Sequence, residues 1–238
     1  MRHSLLYIIS ACLLLAGCDM IDYHPYDVRI SGETNVNAHN IEEIEARCLG
    51  KDTLRIVTMS DSQRWYDETE DFVEHLNQRN DIDFVIHGGD MSDFGVTNEF
   101  LWQRDIMNKL NIPYVTLIGN HDCLGTGEEA YRAIFGNPNF SFIAGRVKFV
   151  CLNTNALEND YSQPIPDFEF LENEIHNRRD EFDKTVISMH VGPYADQFNN
   201  NVARVFERYV IEFPGIQFCT AGHEHHLFEE ELFEDGIM

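Results

Sequence analysis

Residues 84–93 read FVIHGGDMSD, a short apolar run followed by two glycines and two aspartates. The run Phe84–His87 does not alternate between apolar and polar residues, which is typical of a strand buried on both faces of a parallel sheet. Carboxylates that directly follow such a strand lie at the carboxyl edge of the sheet, where open α/β sheets bind their ligands. The stretch therefore predicts an α/β fold with Asp90 and Asp93 in a crevice beyond the strand.

Similar apolar runs alternate with amphipathic helical patterns along the chain. The strand candidates are Leu54–Met59, Phe84–His87, Tyr114–Ile118, Val147–Leu152, Thr185–Met189 and Gln217–Thr220. The helical candidates are Thr69–Arg79, Asn98–Leu110, Glu128–Phe135, Phe168–Arg178 and Val202–Phe213. Ahead of them, Val28–Ile30 has the composition of a strand, and Ile41, Ile44 and Cys48 fall at helical spacing. This alternation predicts α/β layering in one domain.

The chain is strongly acidic. Its 238 residues carry 41 acidic and 17 basic side chains, which gives a formal net charge of −24. A surface this negative repels long polyanions, which argues against DNA or RNA as a partner. Small anionic substrates are compatible with the charge, because bound metal ions reverse the local field.

The amino terminus has the features of a secretion signal. A basic start precedes the apolar run Leu5–Leu15, which is too short to span a bilayer. The run leads into Leu15-Ala16-Gly17-Cys18, which resembles the bacterial lipobox. This resemblance implies cleavage before Cys18 and a lipid on its thiol, so the protein would be anchored to a bacterial membrane outside the cytoplasm, in the periplasm or at the cell surface. A plain secretory signal is the alternative.

The chain then divides into a signal peptide, a lipidated tether and one domain, over residues 1–17, 18–26 and 27–238. The sequence stops at Gly236–Met238 where another strand pattern begins, so either the natural protein ends there or the chain is a shortened product. Four cysteines follow the tether, and an exported compartment permits disulfides between them. We expect free thiols, because Cys151 and Cys219 lie in apolar strand-like runs where a buried thiol is the commoner state.

Polar side chains follow five of the predicted strands. The five segments are Asp61–Gln63, Gly88–Asp93, Gly119–Asp122, His190 and Gly222–His225. In an extended chain residues i and i+2 point to the same side, so Asp61 and Gln63 aim together, as do His223 and His225. Carboxylate, amide and imidazole groups without a thiolate suit Mn, Fe or Zn. The residues therefore predict a metal site in the crevice.

The ordered set of segments resembles the calcineurin-like metallophosphoesterases. Their pattern is D-x-H, G-D-x-x-D, G-N-H-D/E, H and G-H-x-H at the ends of successive strands. All five blocks occur here in that order between Asp61 and His225, and only the first departs, with Gln63 at the position of the usual histidine. The resemblance implies a two-layer β-sandwich flanked by helices (αββα), with a dinuclear metal site at the carboxyl ends of the strands.

The resemblance also implies the metal ligands. One ion would take Asp61, Asp90 and His225, with Gln63 beside them, and the other would take Asp90, Asn120, His190 and His223. Asp90 would then bridge two divalent ions, which could be Mn, Fe, Zn or Mg. Gln63 either supplies a neutral carbonyl oxygen, a weaker donor than imidazole, or hydrogen-bonds a metal-bound water. A weaker donor favours Mn, Mg or Fe over Zn at the first position.

The implied activity is hydrolysis of a phosphomonoester or phosphodiester by a hydroxide that bridges the metals. His121 would contact the phosphoryl group or protonate the leaving oxygen, with Asp122 orienting its imidazole. Asp93 would likewise orient a residue of the site. For Asp93 and Asp122 the alternative is a helix-cap or turn role. The rival function is a non-catalytic, lipid-anchored protein that binds metal or phosphate on the same scaffold, because Gln63 removes one imidazole.

Five other residues lie near these segments. Arg64, Trp65 and Tyr66 follow the first block, and they either clamp phosphate or stack on a leaving group, or pin the loop by packing. His87 lies inside an apolar strand and is predicted to be a core histidine. His226 should face away from His225 and is not predicted to be a ligand.

Overall fold

The structure is a computed structural model that describes residues 24–229. The predicted signal peptide, the lipidation site Cys18 and the strand pattern at Gly236–Met238 lie outside the described residues. Within residues 24–229, no helix combines the length and the hydropathy that crossing a bilayer requires.

The described chain alternates strands and helices, as predicted. Its strands are β1 (Ile56–Met59), β2 (Phe84–His87), β3 (Tyr114–Thr116), β4 (Phe140–Ala144), β5 (Val147–Leu152), β6 (Lys184–Met189) and β7 (Ile216–Thr220). Its α-helices are α1 (Val36–Cys48), α2 (Tyr66–Asn77), α3 (Thr97–Met107), α4 (Gly127–Ile134), α5 (Phe168–His176) and α6 (Ala203–Glu212).

The strands form two sheets. The first sheet is parallel with the order β1-β2-β3, and the second has the order β4-β5-β6-β7. In the second sheet β5, β6 and β7 are parallel, whereas β4 pairs with β5 as an antiparallel hairpin. Because β1, β2 and β3 run the same way, their carboxyl ends meet at one edge, and the loops that follow them share that edge.

The two sheets pack face to face through a layer of aromatic side chains. The ring of Phe84 on β2 lies 5.7 Å from that of Phe142 and 5.4 Å from that of Phe149, edge to face in both cases. Phe142 and Phe149 stack on each other at 4.9 Å. Burial of rings of this size is a large stabilising contribution, so the aromatic layer fixes how the sheets face each other. The predicted two-layer sandwich is confirmed.

Helices cover the outer faces of both sheets. Phe100 of α3 and Tyr131 of α4 belong to the apolar cluster on the outer face of the first sheet. Leu171 of α5 and Phe206 of α6 belong to the cluster on the outer face of the second sheet. The layer order is therefore helices, sheet, sheet, helices, and the predicted αββα class is confirmed.

Helix α1 covers one open side of the sandwich. The side-chain amide of Asn37 donates to the Thr116 carbonyl at 2.9 Å and accepts from the Thr116 N–H at 2.9 Å, which satisfies the edge of β3. Glu45 accepts from the Ile143 N–H of β4 at 2.9 Å. An edge strand with unpaired backbone groups invites pairing with another chain, so these contacts protect the edges of both sheets.

Two predictions need correction. The segment Val28–Ile30 is not a strand, because it pairs with neither sheet and instead packs its apolar side chains against the first outer cluster. Strand β4 was missed, although Gly145 with φ +60° marks the tight turn that joins it to β5. The prediction of free thiols is confirmed for all four cysteines of the domain: Cys48, Cys123, Cys151 and Cys219.

Candidate metal centre

Three predicted ligands from different strands converge at the carboxyl edge of the sandwich. One ligand atom each of Asp61, Asp90 and His190 lies within 4.8 Å of the others. Asp61 follows β1, Asp90 follows β2 and His190 follows β6, so the cluster joins both sheets. Asp90 and His190 are buried. Burial of ionisable groups is costly unless they are paired or bind a metal ion.

Asn120 links this cluster to the last histidine segment. Its side-chain oxygen lies 3.1 Å from Nε2 of His190 and 3.0 Å from Nδ1 of His223. His190 Nε2 also lies 3.3 Å from Oδ2 of Asp90. The other ring nitrogen of His190 lies 2.8 Å from the Gly88 carbonyl, which fixes the ring so that Nε2 points at the cluster.

The last histidine segment also contacts Asp61. Nε2 of His225 is 3.2 Å from Oδ1 of Asp61, and the backbone N–H of His223 donates to Oδ2 of the same carboxylate at 3.1 Å. The side chain of His225 is 64% exposed, so it forms the solvent edge of the cluster. Six of the seven predicted ligands thus form one group, with Asp90 and Asn120 at its centre.

Two buried oxygens of the predicted ligands suit a cation. Oε1 of Gln63 and Oδ1 of Asp61 are buried and accept no hydrogen bond within the described part of the chain, although the His225 ring lies 3.2 Å from Oδ1 of Asp61. A buried polar atom without a partner costs about 1–3 kcal/mol, so native proteins rarely leave two such atoms together. Carboxylate and amide oxygens beside imidazole nitrogens match the donors of Mn, Fe or Zn. The residues therefore fit divalent metal ions.

The backbone at the cluster is held in an unfavourable conformation. Asp61, Asp90, His223 and His225 all have positive φ, between 52° and 72°. A side chain other than glycine reaches this left-handed region at a cost of about 1–2 kcal/mol, and such residues concentrate at ligand clamps. Gly119 contributes by its small size, because a Cβ there would lie 2.1 Å from Oδ1 of Asp90. The fold tolerates this strain at the positions that aim the predicted ligands.

Charge coupling within the cluster sets its protonation. Burial raises the pKa of Asp90, but the hydrogen bond and charge of His190 outweigh it, so that pKa lies below the ordinary value. Burial and the neighbouring His190 lower the pKa of His223. Burial lowers the pKa of His190, but the hydrogen bond and charge of Asp90 outweigh it, so that pKa lies above the ordinary value. The directions for Asp90 and His223 favour the ionised aspartate and the neutral imidazole that bind a metal.

The predicted role of Asp122 is wrong. Its buried carboxylate does not touch His121. Oδ2 accepts from the N–H groups of Asp90 and Gly119 at 2.9 Å each, and Oδ1 accepts from the N–H of Met91 at 3.0 Å and from the N–H and hydroxyl of Ser92 at 2.8 and 2.9 Å. Asp122 therefore fastens the loops that carry Asp90 and Asn120 to each other. Of the two sequence interpretations, the turn role is the closer one.

His121 has a different partner from the one predicted. Its Nδ1 lies 2.9 Å from the backbone carbonyl of Asp93 and 3.8 Å from Oδ1 of the same residue. Its backbone N–H donates to Oδ1 of Asp90 at 2.9 Å. Asp93 therefore orients the imidazole, mainly through its carbonyl group. The side chain of His121 is 37% exposed and lies at the rim of the cluster.

The remaining histidines lie as predicted. His87 is fully buried, and its Nε2 is 2.7 Å from the hydroxyl of Ser62, so it is a core histidine. His226 contacts the Glu224 carbonyl through Nδ1 and does not join the cluster. Sequence reasoning missed Asn155, which donates to the Ile118 carbonyl at 2.9 Å just before the Gly119–Asp122 loop. Its position after β5, another strand carboxyl end, was the available signal.

A family model for calcineurin-like phosphoesterases matches residues 54–227, which span all the predicted ligands. The chain belongs to this family. The match confirms the predicted class, metallophosphoesterase, at the level of the family, and members of this class use divalent metal ions.

A comparison with a solved phosphatase structure agrees with the fold. The chain is similar to a purple acid phosphatase from yellow lupin (Lupinus luteus) seeds, with 17% identity and a TM-score of 0.52 over 74% of this chain. It spans 39% of the length of that protein. It also matches a phosphopantetheinyl hydrolase from Mycobacterium tuberculosis, with 15% identity and a TM-score of 0.46 over 77% of this chain and 86% of the other. A comparison with curated protein sequences found no match.

Proposed function

We propose that this phosphoesterase hydrolyses a small phosphomonoester or phosphodiester with two bound divalent metal ions. The observation that carries the proposal is the convergence of Asp61, Asp90 and His190 within 4.8 Å, in a chain of the calcineurin-like phosphoesterase family. This group, with Asn120, His223 and His225 around it, offers more donors than a single ion needs.

The ligands divide into two sets that share Asp90. Asp61, Asp90, His225 and Gln63 would hold one ion, and Asp90, Asn120, His190 and His223 would hold the other. For Gln63, the buried and unpartnered Oε1 supports the carbonyl-ligand alternative. A neutral oxygen binds more weakly than imidazole, so we propose Mn, Fe or Mg before Zn for the ion at Gln63.

The metal ions would supply a water of lowered pKa and neutralise phosphoryl charge. His121 contributes the proton transfer. The Asp93 carbonyl, 2.9 Å away, would accept a hydrogen bond from Nδ1–H, which leaves Nε2 for the substrate. In its imidazolium form the ring can then donate from Nε2 to the oxygen of the leaving group. Asp122 keeps the Asp90 and Asn120 loops in register through five hydrogen bonds.

The proposed setting is extracytoplasmic. The sequence Leu15-Ala16-Gly17-Cys18 supports attachment of a lipid at Cys18 to a bacterial membrane. Replacement of Cys18 by serine should release the protein from the membrane fraction of the producing cells. A Cys18→Ser chain that stays fully membrane-bound would contradict the anchor without affecting the proposed chemistry.

The proposed hydrolysis is tested with the purified full chain loaded with Mn²⁺, assayed on nitrophenyl phosphate and bis-nitrophenyl phosphate. Asp90→Asn should abolish turnover of both, because it removes the charge shared by both ligand sets. Asp67→Asn is the matched control, since Asp67 lies exposed on α2, and it should retain full activity. Normal turnover in Asp90→Asn would refute the assignment.

The second candidate is a non-catalytic protein that binds metal or phosphate on this scaffold. The observation that favours it is Gln63, which leaves the first ligand set with one histidine, the exposed His225. Metal analysis separates the candidates. One tightly bound ion per chain and no hydrolysis with Mn²⁺, Fe²⁺, Zn²⁺ or Mg²⁺ would favour the binding protein.

A further inference from the structure

Arg64 stands at the rim of the candidate metal centre. Its guanidinium lies 3.3 Å from Oδ1 of Asp93, the residue whose carbonyl orients His121. The Arg64 side chain is 68% exposed, whereas that of Asp93 is 6% exposed. A guanidinium has five N–H donors in a planar fork, so the contact with Asp93 leaves donors for an anionic oxygen in the crevice.

One exposed aromatic residue follows each member of this ion pair in the sequence. Trp65 directly follows Arg64 and is 58% exposed, and Phe94 directly follows Asp93 and is 57% exposed. Consecutive Cα atoms are about 3.8 Å apart, so the backbone of each aromatic residue adjoins that of its charged neighbour. Large apolar side chains that remain exposed near a polar site are available for contact with a ligand.

The loops that carry these side chains are fixed before any ligand binds. The N–H of Trp65 donates to the Ser62 carbonyl at 3.1 Å, and Nε2 of Gln103 donates to the same oxygen at 2.8 Å. The N–H of Phe94 donates to Oε2 of Glu99 at 3.1 Å. Arg64 itself has φ +70°, a strained conformation that the surrounding contacts maintain. A preorganised surface loses less conformational entropy on binding.

We propose that Arg64, Trp65 and Phe94 form a leaving-group subsite that selects phosphoesters carrying a planar aromatic ring. Arg64 binds an anionic phosphoryl oxygen, and the exposed rings stack on the aromatic part of the leaving group. The assignment deepens the proposed hydrolysis and rests on it for the position of the scissile phosphate. Charge supports it, since Arg64 offers a cation for phosphate at the rim of a chain with a net charge of −24.

The subsite is tested by binding, without turnover. The sequence contains two tryptophans, Trp65 and Trp102, so Trp102→Phe leaves Trp65 as the reporter of fluorescence. The probes are the methylenephosphonate isosteres of adenosine 5′-monophosphate and of ribose 5-phosphate, added to the full chain with Mn²⁺. Their P–C bonds resist hydrolysis, and they differ only in the base. The adenosine probe should quench Trp65 and bind at least about fivefold more tightly than the ribose probe.

Matched variants assign the effect to residues. By calorimetry, Trp65→Ala should remove the preference for the adenosine probe, whereas Trp102→Ala, at a tryptophan with 52% exposure on α3, should keep it. Arg64→Gln should lower the affinity for both probes about fivefold, because it removes a charged hydrogen bond to phosphate. Arg55→Gln is its control, since Arg55 is 60% exposed, pairs with Asp81 and precedes β1 at the other end of the strand.

Several outcomes would overturn the subsite. These are equal affinity for the two probes, failure of the adenosine probe to bind, and retention of the base preference in Trp65→Ala. Equal affinity that nevertheless depends on Trp65 would indicate stacking on the sugar and would refute the aromatic class. Failure of the proposed hydrolysis would look different. The chain would then cleave neither nitrophenyl substrate but would still show a base preference that depends on Trp65. That result would refute the activity and support the subsite.

Discussion

Asp122→Asn should destabilise the protein because one carboxylate satisfies five donors in the core of the site. The amide can keep its oxygen at the position of Oδ1, where it still accepts from Met91 and Ser92. Its NH₂ group then faces the N–H groups of Asp90 and Gly119, which lose their acceptor at 2.9 Å. Each buried donor left without a partner costs about 1–3 kcal/mol, so we expect a loss of about 2–6 kcal/mol in the free energy of unfolding.

The loss should be visible in a urea titration. Single domains of ordinary stability unfold with about 5–15 kcal/mol, so a loss of this size moves the midpoint far below that of the parent chain. The titration is followed by circular dichroism in EDTA, which separates the stability of the loops from metal binding. Asp67→Asn, an exposed change of the same chemistry, should stay within about 0.5 kcal/mol of the parent.

The same change should also weaken metal binding. The Asp122 carboxylate holds the Asp90 backbone and the Gly119 N–H that precedes Asn120, so its removal loosens two predicted ligands. Outer groups that orient ligands typically change metal affinity about 10–100-fold, and calorimetry with Mn²⁺ should show a loss in this range. A free energy of unfolding within about 0.5 kcal/mol of the parent value would refute the reasoning, because the five hydrogen bonds would then contribute nothing measurable.

Three further predictions concern single side chains. Gln63→His adds an imidazole to the first ligand set, so Zn²⁺ affinity measured by competition with a chelator should rise at least about tenfold; an unchanged affinity would place residue 63 outside the metal site. Glu174→Gln leaves the fully buried Lys148 without its carboxylate, and urea unfolding should show a loss of about 3–5 kcal/mol, whereas a loss below 1 kcal/mol would contradict a buried ion pair. Burial raises the pKa of Asp83, but Lys51 and the Arg55 N–H outweigh it and hold that pKa below its ordinary value. Its stabilising contribution is therefore present above the unfolded pKa of about 3.8 and is lost as the pH falls through the lower folded pKa. The stability difference between the parent and Asp83→Asn in EDTA should accordingly shrink below about pH 4, and a difference that grows on acidification would have the wrong sign.

The sequence was sufficient for the layered fold and for the convergence of Asp61, Asp90 and His190 at the candidate metal centre. Strand β2 and strand β5 have the predicted boundaries, Phe84–His87 and Val147–Leu152, because a strand buried on both faces is a continuous apolar run that a local pattern reveals. Parallel strands bring their carboxyl ends together, so Asp61, Asp90 and His190 could be placed near one another from their positions after strands.

Only the tertiary structure decided how the cluster is supported. Asp122 and Asp90 lie 32 residues apart, and an aspartate after Gly119-Asn120-His121 is equally compatible with orienting the histidine or binding the backbone. The direction of its carboxylate depends on how two loops cross, which no local pattern encodes. Strand β4 and the contacts of α1 with the sheet edges also depend on pairing with another segment. No local pattern therefore predicted them. The sequence by itself thus determined which residues converge at the candidate metal centre. Their positions after successive strands and the chemistry of their side chains can both be read from the chain. The hydrogen bonds that hold them in place required the fold, because they join segments that meet only after the sheets have packed.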